Sequence, residues 1–243
     1  MEKISFFILK VVIVSGLVLL VSVLGANWYI HFTQPSYQFY DYTVKIHNAS
    51  SYGGSPGTDI LVPLPMIGGE TEIFTEKILE YETFGDWKPV LVMTDDGKML
   101  ALQSMDGTFT NVSAEFSSTR ILRGVDDGGI TSIDDLSLSP VIHASEEAPS
   151  SQTSGQCPAH ALSLVYLPES IQPLSDNAPP LEIEMELLVL GSRFGSEYLG
   201  DYRLYGSVTV SADTRGRVPV PVRAFTRRSS TEEGGGLNWS CLS

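Results

Sequence analysis

This sequence predicts an all-β fold, an antiparallel β-sandwich or partly closed barrel, preceded by one N-terminal transmembrane helix. Three features point there. An uncharged apolar run of twenty residues stands near the N-terminus, nine or ten short β-branched and aromatic segments follow it, and no helical periodicity stands out between those segments.

The apolar run is Val11 to Ile30, VVIVSGLVLLVSVLGANWYI. At about 1.5 Å per residue it matches the roughly 30 Å thickness of bilayer hydrocarbon. Lys10 marks its inner edge, and Trp28 and Tyr29 fall where amphipathic rings settle at headgroup level. Lys3, Lys10 and the terminal amine precede the run, and the next Lys or Arg is Lys45. The positive-inside rule therefore puts residues 1–10 in the cytoplasm, residues 11–30 across the membrane and residues 31–243 outside. A signal peptide cut before Ala26, behind Val23 and Gly25, is the competing reading and would give a secreted protein. The run exceeds the about 7 to 15 apolar residues of a signal, which favours an anchor.

Pro35 ends the helix, because the residue before a proline is pushed out of the α region. Strands are predicted at Tyr37–Ile46, Asp59–Ile67, Lys88–Thr94, Lys98–Ser104 and Thr108–Phe116. Between the third and fourth, Thr94-Asp95-Asp96-Gly97 reads as a tight hairpin, since Asp-Gly supplies the positive φ such a turn requires. Residues 117–155 then turn polar and read as a long flexible excursion, with mobility expected over Ser145–Gly155. Strands resume at Ala159–Leu167, Leu181–Leu190, Tyr202–Ser211 and Arg217–Arg223. In LEIEMELLVL, Leu181, Ile183, Met185, Leu187 and Val189 share one face, and Glu182, Glu184 and Glu186 share the other. Pro219 and Pro221 each remove a ladder donor, which predicts an edge position for the last strand.

The chain carries 15 Lys and Arg against 29 Asp and Glu, a formal net charge of −14. Without Glu2, Lys3 and Lys10 the exported part has 13 basic and 28 acidic side chains. Nucleic acid is excluded as a partner, because binding it needs clustered Lys and Arg that release counterions. The two cysteines, Cys157 and Cys241, lack a CxxC neighbour, which argues against zinc or redox chemistry and for a disulfide outside the cytosol.

No catalytic constellation emerges. Gly53-Gly54-Ser55-Pro56-Gly57 matches the GxSxG of a nucleophile elbow, but the residue after the serine is Pro56, which has no N–H for an oxyanion. A Gly/Pro loop between two strands is the simpler reading. Asp126-Asp127, Asp134-Asp135 and the Glu182, Glu184, Glu186 row lack the spacing of a calcium loop, and a glutamate face opposite Arg203 or Arg217 accounts for the row. His31, His47, His143 and His160 show no paired ligand spacing, so neither a metal site nor a cofactor is expected. Arg223, Arg227 and Arg228 form the one basic cluster, which reads as internal charge balance. Asn48, Asn111 and Asn238 each begin an Asn-X-Ser sequon in the part placed outside.

The sequence thus reads as a non-enzymatic, membrane-anchored cell-surface protein whose β domain binds or scaffolds a protein or glycan partner. A structural subunit of a surface filament or envelope layer is the alternative.

Overall fold

A computed structural model describes residues 13–26, 29, 36–69, 72–122, 129–130, 132–142, 157–191, 200–227 and 239–242. Helix α1 occupies residues 13–26, and its side chains from Ile13 to Leu24 are exposed all round. Among the described residues no helix is long and apolar enough to cross a membrane.

The rest is mostly antiparallel β. In chain order the strands are β1 (Ser36–His47), β2 (Tyr52–Gly53), β3 (Asp59–Ile67), β4 (Trp87–Thr94), β5 (Gly97–Ser104), β6 (Val112–Leu122), β7 (Leu136–Ser139), β8 (Val141–Ile142), β9 (Ala161–Leu167), β10 (Gln172–Pro173), β11 (Leu181–Gly191), β12 (Asp201–Val210), β13 (Gly216–Arg227) and β14 (Trp239–Cys241). Their main path runs β4-β5-β3-β9-β13-β12-β11-β1-β6, with β7, β8 and β14 attached to β3, β9 and β13. The path curls into a nearly closed, barrel-like sheet whose open edges are β4 and β6. A small second sheet pairs β2 with β10.

Alternation drives this curl. In β11, Leu181, Ile183, Met185, Leu187 and Val189 are all buried, and in β1 the inward set is Tyr40, Tyr42, Val44 and Ile46. These two strands pair along ten positions, from Gln38 opposite Gly191 to His47 opposite Glu182. The Asp-Gly hairpin forms as its sequence dictates, with Thr94 opposite Gly97 and Gly97 at φ +130°.

Three features depart from the sequence reading. Helix α2 (Glu72–Glu80) was not foreseen, so the fold is not purely β. It packs on β6, β4 and β3 and covers the seam between the open edges. Phe74 and Ile78, four residues apart on its inner face, are fully buried, and Phe74 meets Tyr42 edge-on at 6.0 Å. Nine residues flanked by strands leave too little periodicity to show above the β pattern.

Second, β13 is an interior strand, not an edge. Its prolines are tolerated because pairing with β12 stops at Gly206 opposite Val222, so among the described strands the stretch holding Pro219 and Pro221 pairs with β9 alone.

Third, part of the polar excursion is structured. β6 continues to Leu122, and Ile130, Ile133, Leu136 and Leu138 enter the core. Gln38, itself buried, secures this return. Its Nε2 donates to Ile130 O and its Oε1 accepts from Ile130 N, each at 2.9 Å. The expected mobility of Ser145–Gly155 lies outside the described residues.

Candidate functional site

The barrel wall is weakest between β3 and β9, which meet at a single pair, Leu61 opposite Tyr166. Prolines stand on either side of that pair, Pro63 in β3 and Pro168 just after β9, and each removes a ladder donor. Toward Ile67 the gap is filled, since β7 pairs with β3 and β8 with β9. Ser163, buried in β9, holds that insert through hydroxyl contacts of 2.9 Å to Leu138 O and Pro140 O. Toward Asp59 the gap stays open and forms a cleft of 370 Å³.

One wall of the cleft comes from the loop between β2 and β3. This is the segment matching GxSxG, and a strand rather than a helix follows its serine. The loop is set by backbone bonds from Gly54 N to Gly107 O at 3.1 Å and from Gly57 N to Ser104 O at 2.8 Å. Gly107, at φ +86°, is required here: a Cβ would stand 2.6 Å from Gly54 O. Thr58 Oγ1 donates to Ser55 O at 2.7 Å and lies 3.0 Å from Ser170 Oγ. Leu61, Val92, Leu167 and Pro168 supply apolar surface.

Asp59 opens β3 on the cleft wall. Its Oδ1 is buried and takes no hydrogen bond from any described protein group. Among the described residues the lining contains no Lys, Arg or His. Beside Tyr166, Arg217 pairs with Asp96 at 3.0 Å and sits 5.7 Å from the Tyr166 ring centroid. The Tyr166 hydroxyl donates to the same Asp96 carboxylate. Burial and that hydrogen bond push the Tyr166 phenol above its ordinary value, against the pull of Arg217.

Cys157 and Cys241 come to disulfide distance, with Cα atoms 5.5 Å apart. Both lie along one side of β13. β9 pairs with its residues up to Val222 and β14 with its residues from Phe225, so the segment entering β9 meets the end of β14.

Asn48 and Asn111 lie at one end of the barrel, both just beyond the last pair, Ile46 with Val112. Asn48 Nδ2 donates to Pro180 O at 2.8 Å, whereas Asn111 is exposed and its Oδ1 accepts from Ala49 N at 2.9 Å. Asn238 falls outside the described residues.

Of the glutamate row, Glu186 meets Arg203 at 2.6 Å as an ion pair whose angle is not that of an aligned hydrogen bond. Arg203 also lies over the Tyr205 and Phe225 rings at 5.5 and 5.7 Å. In the basic cluster, Arg227 pairs with buried Asp201 at 3.4 Å, and Arg223 lies opposite Tyr205 on β12. Arg217 goes to Asp96 instead of the glutamates. Asp126-Asp127, His31, His143 and Arg228 are outside the described residues. Among those described, no three His, Cys, Asp or Glu side chains gather as a metal site.

The cleft itself was not legible from sequence. Asp59 reads only as the first residue of a strand, and the one available signal was the pair of prolines, Pro63 and Pro168, that weaken the ladder beside it. Comparison with protein-family models, with curated proteins and with solved structures finds no match for this chain.

Proposed function

We propose that this chain is a non-enzymatic, membrane-anchored cell-surface protein whose β domain displays a ligand-binding cleft to a protein or glycan partner outside the membrane. The observation that carries this reading is the state of α1. Leu17, Val18, Leu20 and Leu24 are each more than half exposed, so the β domain gives the helix no apolar cover. An uncharged helix greasy on every side calls for a membrane or another apolar surround. The uncharged run Val11–Ile30 extends beyond α1 at both ends and supplies the length a bilayer needs. The Cys157 and Cys241 pair supports an oxidising compartment for the domain. The acidic surface, at net −14, suits a soluble domain held off anionic headgroups.

The test is protease treatment of intact cells producing the chain, with N-terminal sequencing of the membrane-bound product. Loss of the β domain to external protease and an intact residue 1 support the reading. A mature chain starting near Ala26 replaces anchor by signal, and protection of the domain in intact cells overturns the orientation. Ordered polymers of this chain on cell surfaces in electron micrographs favour the filament alternative.

A further inference from the structure

We propose that the outer face of the barrel wall at the start of β1, where Tyr37, Phe39, Ile121, Leu188 and Leu190 come together, docks on the headgroup layer of a zwitterionic bilayer. This rests on the reading of residues 11–30 as a membrane anchor and adds a second membrane contact, made by the β domain itself.

The patch follows from register. Gln38, Tyr40 and Tyr42 are fully buried, so the odd-numbered residues of β1 point outward. Antiparallel pairing brings the last residues of β6 and β11 to the start of β1, with Tyr37 opposite Ile121 and Phe39 opposite Thr119 and Leu190. Phe39 is 43% exposed and Ile121 53%, although both are large and apolar. In the next outward row Asp41 stands between Ser117 and Leu188. Beyond it the face changes character: Glu115, Thr43 and Glu186 form one row, and Ser113, Lys45 and Glu184 the next. An apolar, aromatic end that gives way to charge along the strands is the profile of a surface passing from headgroups into water.

The tether selects the bilayer as the occupant. Five residues, 31–35, separate the anchor's last residue from Ser36, a reach of about 20 Å even when fully extended. The apolar end of the face is thus the end held beside the membrane, and the charged rows lead away from it. A short linker keeps the local concentration of lipid high, so a weak contact suffices. Tyr37 and Phe39 suit headgroup depth, where aromatic rings settle. The net charge of −14 fixes the lipid class, because anionic headgroups repel the domain whereas zwitterionic ones do not.

The full chain, one copy per nanodisc of phosphatidylcholine doped with a gadolinium-chelate lipid, is followed by methyl NMR. Docking is expected to broaden the methyl signals of Ile121, Leu188 and Leu190 strongly and that of Val141 little, since Val141 is exposed on β8 beside β9, itself four strands from β1 along the sheet. Phe39→Ser with Ile121→Ser is expected to lower the ratio of docked to undocked domain about tenfold, as half-burying two large apolar side chains implies. Thr119→Asp puts a charge in the patch at a site already exposed, and is expected to weaken docking while the core methyl signals of Val44 and Ile46 keep their positions. Equal broadening of Val141 and Ile121 on discs that retain the chain, or no effect of either variant, overturns the docking and leaves the anchor standing. Changes at Ile121 that require two chains per disc assign the face to a second copy and also overturn it. A chain that separates from the lipid overturns the anchor and the docking together.

Discussion

Trp87 Nε1 donates to the carbonyl oxygen of Thr110 at 2.9 Å, joining β4, one open edge of the barrel, to the segment that leads into β6, the other. The indole is fully buried and packs against Phe109 at 4.9 Å. Together with α2, this contact stands in for the strand pairing that would otherwise close the sheet. Trp87→Phe keeps most of the ring volume and strands the carbonyl, at an expected cost of about 1–3 kcal/mol. Trp87→Ala adds a cavity and is expected to lose about 3–5 kcal/mol. Chemical denaturation of the three proteins measures both steps. Equal stability of Trp87→Phe and the parent would show that the hydrogen bond contributes nothing to closure.

Gln38 acts as a substitute backbone for Ile130, giving it both a donor and an acceptor, and also accepts from the Tyr40 hydroxyl at 2.7 Å. Gln38→Leu leaves those three groups without their partner inside the fold. A loss of about 2–4 kcal/mol is expected, counting the stranded polar groups together. Hydrogen exchange should locate the effect, with the Ile130 amide losing protection first. Retained protection at Ile130 would mean that another group holds the excursion down.

Burial pushes the Tyr40 phenol from 10.0 to about 12, with Arg120 opposing, and pushes the wholly buried Tyr42 phenol higher still. An unfolded phenol releases its proton near 10.0, so above that pH the unfolded chain binds fewer protons than the native one. Stability is therefore complete below the unfolded value and declines as pH rises toward and through about 12. Urea midpoints are expected to fall between about pH 9 and about pH 11.5, and Tyr40→Phe to fall less steeply across the same interval. A parallel decline in both proteins would assign the alkaline loss to other groups.

The Cys157 and Cys241 pair closes a loop spanning 84 positions. Chain-entropy arithmetic puts its stabilisation at about 4–5 kcal/mol at most. The link fastens β14, which among the described strands pairs with the last residues of β13, and not the core strands. Reduction, or Cys157→Ser with Cys241→Ser, is expected to expose β14 to hydrogen exchange before the barrel strands lose protection. Simultaneous opening of β14 and β11 would show that the link is needed by the whole domain.

Much of the strand set was legible because period-two patterning is local. Asp59–Ile67 has the same bounds in sequence and structure, and Leu181 to Val189 alternate inward as their spacing dictates. Thr94 to Gly97 carries its own turn chemistry, and Arg203 meeting Glu186 was readable as opposite charge on neighbouring strands. Each of these depends on residues a few positions apart, or on a single cross-strand pair.

The tertiary structure decided what depends on which distant segments become neighbours. Pro219 and Pro221 looked like edge residues, and whether β13 has an edge there is set by how far β12 extends alongside it. Phe74 and Ile78 gain their purpose only when β4 and β6 fail to pair and leave a seam to cover. The cleft exists because β3 and β9, 105 positions apart along the chain at Leu61 and Tyr166, touch at one pair and part at Asp59. Local chemistry fixed the strands of this protein and the faces they bury. The order in which they closed, and the gap left behind, came from long-range register, which no local period encodes.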